Sequence, residues 1–251
     1  MARRALTGRT THLAHAPGGP PDPPRYRHSV SSTTSDLRHW LAELPAPDLS
    51  AHPFDPDTAP VDPVPLFLSW LHEAVEAGVP APQSMTLATV DPAGRPDARI
   101  LMLSDIDESA FWVAASTASP KGRQLQQVPV AALVFHWPQL GRQVRVRGVV
   151  RAADEQRTAA CFAELPPEVR AEALADRQSR HLFDEVALSD ELGDVTDLVQ
   201  LEPEVVAPTW RLWGVDAGRL EFYQYATDRH HVRLRYSRQD DGTYEQVQLR
   251  P

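Results

Sequence analysis

The chain has 251 residues, a hydrophobic content of 42% and a formal net charge of −9 at pH 7. This length and composition are typical of one substantial domain with an ordinary soluble core. The acidic balance, without a basic stripe, argues against a nucleic-acid-binding protein. The single cysteine, Cys161, excludes an intrachain disulfide and a cysteine-rich metal site.

No apolar run approaches the roughly 18 residues that a membrane span needs. No apolar stretch follows Arg3-Arg4, so an export sequence is not expected either. We therefore expect a cytoplasmic protein without a membrane segment. Twelve acidic and four basic side chains fall within residues 154–200, a pattern typical of solvated helical faces.

Residues 1–64 are expected to form a proline-rich, largely disordered arm, because twelve of the 24 prolines fall in the first 65 residues. A short helix over 36–44 is expected within it. The folded domain is expected over 65–251, beginning with a helix at Pro65 that ends at Gly78. The apolar residues of this segment recur at the spacing of one helix face; they are Phe67, Trp70, Leu71, Ala74 and Val75.

From Met85 onward, apolar residues recur at every second position, as in a β-strand. Alternation predicts hairpins over 85–104 and 130–150, a strand over 111–116, and further strands after Pro208. A helix is expected between Ser119 as N-cap and Gln127. With a helical insertion at about 154–200, some seven or eight strands predict a mainly β fold, a closed or split antiparallel barrel.

Several common catalytic motifs are missing from the sequence. It contains no G-x-G-x-x-G, no G-x-x-x-x-G-K-[ST], no H-E-x-x-H and no G-x-S-x-G. A dinucleotide fold, a P-loop, a zinc protease and the commonest hydrolase elbow are therefore unsupported. His12 and His15 alone make no convincing metal site, so no metal is expected.

Three polar residues are spaced among the β-rich runs. Arg99 opens a strand, where an arginine is either a surface charge or an anion ligand. Lys121 lies in a first helical turn, where a cation opposes the helix dipole unless an anion binds nearby. Gln143, inside the alternating run QVRVRG, either faces water or binds something at the barrel mouth. Together they indicate a barrel whose rim holds a phosphate.

This ordered set resembles the pyridoxamine-5′-phosphate oxidase family over about residues 62–251. The resemblance implies an FMN-binding split β-barrel and a homodimer with FMN sites at the subunit interface. It implies that six segments contact FMN: RILMLS, SPKG, GRQV, RQSR, LEFYQ and the C-terminal R-x-H-x-R. In SPKG, Pro120 stands in place of an arginine of the family, and the RQSR segment would come from the partner subunit. The residues concerned are Arg99, Ile100, Leu101, Ser119, Lys121, Gln143, Gln178, Ser179, Tyr223 and Arg233.

The R-x-H-x-R motif is present as Arg229-His230-His231-Val232-Arg233. The resemblance implies that Arg229 and His231 face the substrate as catalytic residues. Arg229 would neutralise a substrate carboxylate, and His231 would accept or donate a proton.

Four positions depart from pyridoxine-phosphate oxidases. The lysine, tyrosine, arginine and serine that hold the substrate phosphate in that family are replaced here, by alignment, by Ser104, Cys161, Leu165 and Val169. Ser104 would thus line a less charged substrate pocket. The SPKGR segment makes the chain most similar to the flavin oxidases of phenazine biosynthesis. An FMN-dependent oxidase is therefore expected, one that passes a hydride from a small natural-product intermediate, a reduced ring or amine, to flavin and then to dioxygen.

Three alternatives stay open at this point. The chain could be a genuine pyridoxine/pyridoxamine-phosphate oxidase with a rebuilt phosphate site. It could use a deazaflavin, although the R-x-H-x-R motif argues against that. It could also be a non-catalytic flavin-binding protein.

Overall fold

The computed structural model describes residues 34–43, 54–176, 195–202, 204–226 and 230–250, which fall into two compact units, Met1–Ala46 and Pro47–Pro251. In the first unit the described element is helix α1, Thr34–Ala42, which begins two residues before the predicted helix. Its Leu37, Trp40 and Leu41 are exposed. The rest of the predicted arm up to residue 53 lies outside the described residues.

The second unit contains the strands β1 Ser84–Val90, β2 Pro96–Ile106, β3 Ala110–Ser116, β4 Val130–Trp137, β5 Arg142–Ala152, β6 Trp210–Asp216, β7 Arg219–Gln224, β8 Val232–Arg238 and β9 Tyr244–Gln248. The first six form a closed antiparallel barrel. In the described residues the strand order around it is β1-β2-β3-β6-β5-β4, and β4 pairs back with β1. Three more strands, β7 to β9, continue from β5 as a flanking sheet, so the described residues form nine strands where the sequence pattern predicts seven or eight.

One helix precedes the barrel, and others lie in the connections between its strands. They are α2 Pro63–Glu76, α3 Pro120–Gln127, α4 Glu155–Ala163 and α5 Pro167–Ala175, with a further helical segment at 195–201. The side chain of Asp62 accepts the Val64 N–H at 2.9 Å and caps α2, which therefore starts two residues before Pro65. Gly78 follows α2 with a φ of +69°, a left-handed conformation that favours glycine at a helix end.

The core is an aromatic cluster organised by α2. The ring of Phe67 packs edge-on against Phe111 and Phe135, with centroids 4.9 and 4.8 Å away. Trp70 does the same with Phe222 at 5.2 Å and Phe54 at 5.0 Å. Because Phe54 precedes Pro65, packing against the core begins before the point at which the sequence pattern places the domain.

Strand β5 changes partners at Gly148. Up to Arg147 it pairs with β7, and from Val150 it pairs with β6. The neighbouring chain comes so close at this point that a Cβ on Gly148 would lie 1.9 Å from the carbonyl oxygen of Asp216. A residue without a side chain is therefore required where the barrel joins the flanking sheet.

A second apolar cluster, which includes Trp112 and Phe162, lies beneath α4. Arg157 of α4 lies over the Trp112 ring at 4.0 Å and donates to Asp107 at 2.7 Å. The indole N–H of Trp112 donates to the same carboxylate at 2.7 Å. These contacts tie α4 to the β2–β3 connection.

Replacing Asp107 by asparagine should lower the free energy of unfolding at neutral pH. In acid, the difference between the variant and the wild type should disappear. Burial raises the pKa of Asp107, but hydrogen bonds from Arg157, Ser109 and Trp112 outweigh it and hold the pKa well below its usual range. A depressed folded-state pKa means that this carboxylate stabilises the fold above its unfolded pKa, near 4, and less as the pH falls below it. Because the group is partly exposed, we expect about 1.5 kcal/mol at pH 7.

Urea unfolding of the wild type and of Asp107→Asn between pH 7 and pH 3 measures this difference. The gap in unfolding free energy should narrow as the pH drops below 4. A gap that stays constant would show that the charge of Asp107 contributes nothing.

No helix among the described residues is long and apolar enough to span a membrane.

Candidate functional site

Arg99 lies at the centre of a polar cluster on β1, β2 and α3. Its Nη1 donates to the carbonyl of Leu87 at 3.2 Å and to the hydroxyl of Thr89 at 2.6 Å. Its Nη2 donates to Asp97 at 2.6 Å and to the side-chain oxygen of Gln124 at 3.2 Å. The guanidinium is therefore held in place at the rim of the barrel.

Lys121 brings a second positive charge to this cluster. It lies in the first turn of α3 and is buried, with 7% of its surface exposed. Burial lowers the pKa of Lys121, and the positive charge of Arg99 lowers it further. Two cations close together at a helix N-terminus form a strong site for an anion such as phosphate.

Ser119 shapes this site as an N-cap. Its hydroxyl accepts the N–H of Gly122 at 3.1 Å and donates to the carbonyl of Ser116 at 2.7 Å. Gly122 allows the loop to approach, because a Cβ there would lie 2.0 Å from that carbonyl oxygen. The structure thus gives Ser119 a local role in fixing the start of α3.

The other predicted site residues of β2 lie on both faces of this strand. Leu101 packs against the core, whereas Ile100 and Ser104 are exposed on the outer face. Ser104 lies where the pairing of β2 with β3 shifts, between Leu103 and Asp105. A bulge of this kind re-aims side chains and is common beside functional sites.

A second group of predicted residues forms a row across the outer face of the sheet. In the strand register, Gln143 pairs with Tyr223, and Tyr223 pairs with Arg233. On the other side, His136 pairs with Gln143. These four side chains help to line a cavity of about 430 Å³, within the range of small-molecule and cofactor sites.

The charges in this cavity are paired. Glu221 accepts from Nε and Nη2 of Arg233 at 2.9 and 3.1 Å, and from Arg145 at 3.3 Å. The hydrogen bond to Glu221 is the main cause of the raised pKa of Arg233. Glu221 thus holds both arginine side chains against the sheet beside Gln143 and Tyr223.

A buried cation lies at the base of the row. Arg142 donates to Glu73 of α2 at 2.8 Å and to the side-chain oxygen of Gln224 at 2.9 Å, and its guanidinium lies 4.4 Å from the Trp70 ring centre. Gln224 in turn donates to the carbonyl of Leu140 at 2.9 Å. Because Arg142 and Gln224 adjoin Gln143 and Tyr223 in sequence, this network fixes the end of the row.

His231 lies beside two residues that line this cavity, with its ring centroid 5.8 Å from that of Tyr223. Its Nδ1 accepts the N–H of Ala226 at 3.0 Å, and its ring stacks on Tyr225 with centroids 4.7 Å apart. An accepting Nδ1 means that the neutral ring carries its proton on Nε2. Of the other predicted site residues, Arg229, Gln178 and Ser179 lie outside the described residues.

The predicted residues thus form two groups. Arg99, Lys121 and Ser119 lie together, and so do Gln143, Tyr223, Arg233 and His231. The described lining of the cavity includes none of the first group. Sequence reasoning missed Arg145 and Glu221, although both follow the period of two that places Gln143 and Tyr223 on one face. It also missed Arg142, for which the local sequence carries no indication.

Family models match most of the second unit. Residues 71–198 match the model described as pyridoxamine 5′-phosphate oxidase. Residues 210–251 match the model described as the pyridoxine 5′-phosphate oxidase C-terminal dimerisation region.

Curated relatives carry the corresponding name. The chain is 40% identical over 197 residues to the pyridoxine/pyridoxamine 5′-phosphate oxidase 1 of Ralstonia nicotianae, an alignment that covers 78% of this chain and 92% of the relative. It is 35% identical over 224 residues to the pyridoxine/pyridoxamine 5′-phosphate oxidase of Nostoc punctiforme, with 88% and 100% coverage.

Two solved structures share the fold. PhzG from Burkholderia lata, in complex with tetrahydrophenazine-1-carboxylic acid, superposes with a TM-score of 0.74 and 26% identity, over 81% of this chain and 99% of that one. A pyridoxamine 5′-phosphate oxidase-related, FMN-binding protein from Nostoc punctiforme superposes with a TM-score of 0.64 and 19% identity, over 78% and 100%.

Proposed function

Because the chain belongs to the pyridoxamine 5′-phosphate oxidase family, we propose that it is an FMN-dependent oxidase of a small natural-product intermediate, a reduced ring or an amine. Bound FMN would supply the hydride-accepting ring and the reaction with dioxygen. The protein itself would bind, orient and exchange protons.

The two residue groups fit the two ends of this cofactor. Arg99 and Lys121 would hold the phosphate, since they bring two positive charges to the N-terminus of α3. Gln143 would hydrogen-bond the ring system, and Tyr223 would pack near it. Arg233, oriented by Glu221, would contact the cofactor from β8.

The proposal places each FMN site between two subunits of a homodimer. The match to a dimerisation region supports the dimer, and so does the exposed apolar surface of Ile100 and Met102 on β2. The separation of the two residue groups supports a site completed across the interface. Gln178 and Ser179 would then come from the partner subunit.

His231 and Arg229 would act on the substrate. The hydrogen bond from Ala226 occupies Nδ1 of His231, so the Nε2–H of the neutral ring is the group that would hydrogen-bond the substrate and assist its proton transfer. Stacking on Tyr225 limits the rotation of the imidazole. Arg229, two residues earlier, would neutralise a substrate carboxylate.

The observation that carries the substrate class is the environment of the four residues that replace the substrate-phosphate ligands. Cys161 and Leu165 pack against the apolar cluster under α4, and burial raises the pKa of Cys161. Ser104 and Val169 bring no charge. Since each charge-assisted phosphate contact contributes about 1.5–3 kcal/mol, a substrate site lined by these four residues would suit a less charged substrate.

A genuine pyridoxine/pyridoxamine 5′-phosphate oxidase is the second candidate. A relative at 40% identity carries that name, whereas PhzG, whose structure contains a tetrahydrophenazine, is 26% identical. The two candidates differ in whether the pocket accepts a phosphate dianion.

Anaerobic flavin absorption separates these functions. FMN-loaded protein is mixed first with pyridoxine 5′-phosphate and then with tetrahydrophenazine-1-carboxylic acid. We expect bleaching with the second compound alone, and recovery of colour with hydrogen peroxide release when air is admitted. Bleaching by pyridoxine 5′-phosphate would establish the second candidate. A flavin that stays oxidised with both compounds would favour the non-catalytic alternative.

The variant Ser104→Lys provides a matched control for this experiment. It restores the lysine of the phosphate oxidases at an exposed position and disturbs no core packing. If the pocket rejects pyridoxine 5′-phosphate for lack of positive charge, this variant should bind it more tightly than the wild type.

A further inference from the structure

Asp97 lies two residues before Arg99 on β2. Its Oδ2 accepts from Nη2 of Arg99 at 2.6 Å, and the side-chain amide of Gln124 approaches the same oxygen at 3.5 Å. Among the described residues, Asp97 is the sole carboxylate bonded to Arg99. About half of its side-chain surface is exposed, against 21% for Arg99.

The hydrogen-bonding capacity of Arg99 is nearly used up by these contacts. Each of its terminal nitrogens carries two hydrogens, and each has two acceptors within 3.2 Å among the described residues. A bidentate contact from a phosphate needs at least one terminal nitrogen. One of the present acceptors must therefore give way.

Asp97 is the acceptor best suited to move. Leu87 contributes a backbone carbonyl of the β1–β2 ladder, and Thr89 is buried. The Gln124 oxygen also accepts from the Thr89 hydroxyl at 2.5 Å and is held in place by it. The carboxylate of Asp97 is negatively charged, as a phosphate is, and can turn outward into solvent. Lys121 is already in place as the second cation for the incoming anion.

We propose that Asp97 competes with the cofactor phosphate for Nη2 of Arg99 and so sets how tightly the phosphate is held. This inference rests on the proposed function, which places the FMN phosphate at Arg99 and Lys121. Asp97 is a positioning residue on this account, since it acts through Arg99. It keeps Arg99 paired and reduces its repulsion with Lys121.

This competition predicts two opposite effects of the substitution Asp97→Asn. FMN should bind more tightly, because the phosphate no longer displaces a carboxylate. The flavin-stripped protein should melt at a lower temperature, because Arg99 and Lys121 lose their neutralising charge. A merely structural role for Asp97 would weaken both properties together.

Flavin titration tests the proposal. Fluorescence quenching gives the Kd of stripped protein for FMN and for riboflavin, which has the same ring without the phosphate. We expect the variant to lower the Kd for FMN about two- to fivefold, as fits a partly exposed ion pair. The Kd for riboflavin should not change. Inorganic phosphate should raise the melting temperature of the variant more than that of the wild type.

The variant Asp240→Asn controls for the loss of one negative charge, because Asp240 is exposed in the β8–β9 turn. It should leave both dissociation constants unchanged. Weaker FMN binding by Asp97→Asn, or an equal change for FMN and riboflavin, would overturn the proposal. If the wild type binds FMN no more tightly than riboflavin, the phosphate site of the proposed function itself fails, which is a distinct result.

Discussion

Replacing Gly148 by alanine should lower the free energy of unfolding by about 3 kcal/mol, at the upper end for overpacking. The added Cβ would lie 1.9 Å from the carbonyl oxygen of Asp216 and 2.8 Å from its carbonyl carbon. Both atoms are backbone, so no side-chain rotation relieves the clash. The strand must move where β5 passes from β7 to β6, and FMN affinity should fall as the row on β5 and β7 shifts.

The matched control is Gly218→Ala in the neighbouring turn. A Cβ on Gly218 would meet the carbonyl of Arg147 at 3.4 Å, an ordinary contact distance. Thermal unfolding of both variants, with and without FMN, measures the difference. Equal melting temperatures for the two variants would show that the barrel junction yields easily and that the close approach at Gly148 is not a constraint.

Replacing Arg142 by methionine should cost about 3 kcal/mol of stability, the scale expected when one partner of a buried ion pair is removed. The arginine side chain is 4% exposed and that of Glu73 is 37% exposed, so the low end of the usual range applies. The variant also leaves Gln224 without a hydrogen-bond donor. Because Gln224 adjoins Tyr223, FMN binding should weaken together with stability.

The exposed pair between Arg95 and Asp91 provides the comparison. Arg95 is 80% exposed, and Arg95→Met likewise removes an arginine–carboxylate ion pair. Its cost should stay within about 1 kcal/mol. Urea unfolding compares the two variants directly, and a cost for Arg142→Met no larger than that for Arg95→Met would contradict a structural role for the buried pair.

The strands could be predicted because their residues carry a local pattern. Alternation placed β4 at its exact bounds, and the turn, N-cap and proline chemistry around Ser119 placed α3. The same N-cap chemistry places Lys121 in the first turn of α3. Local chemistry was sufficient for these features.

The remaining features depend on partners far along the chain. Arg142 is buried because Glu73 approaches it from α2, and nothing near Arg142 in the sequence indicates that contact. The same holds for the junction at Gly148, where the constraint comes from Asp216. The closure of β4 onto β1 makes a barrel of these strands, and alternation alone does not distinguish it from an open sheet.

The row that joins Gln143, Tyr223 and Arg233 also determines which changes of chain length this protein tolerates. Successive side chains of a strand point to opposite faces, so deleting one residue inside β7 would exchange the faces of all residues beyond it. Tyr223 would turn into the core. A neighbouring residue that packs inside in the present structure would take its place on the outer face. Added residues between β7 and β8 leave the pairing of both strands intact. We therefore expect insertions and deletions in close relatives to fall in the connections and to spare these strands.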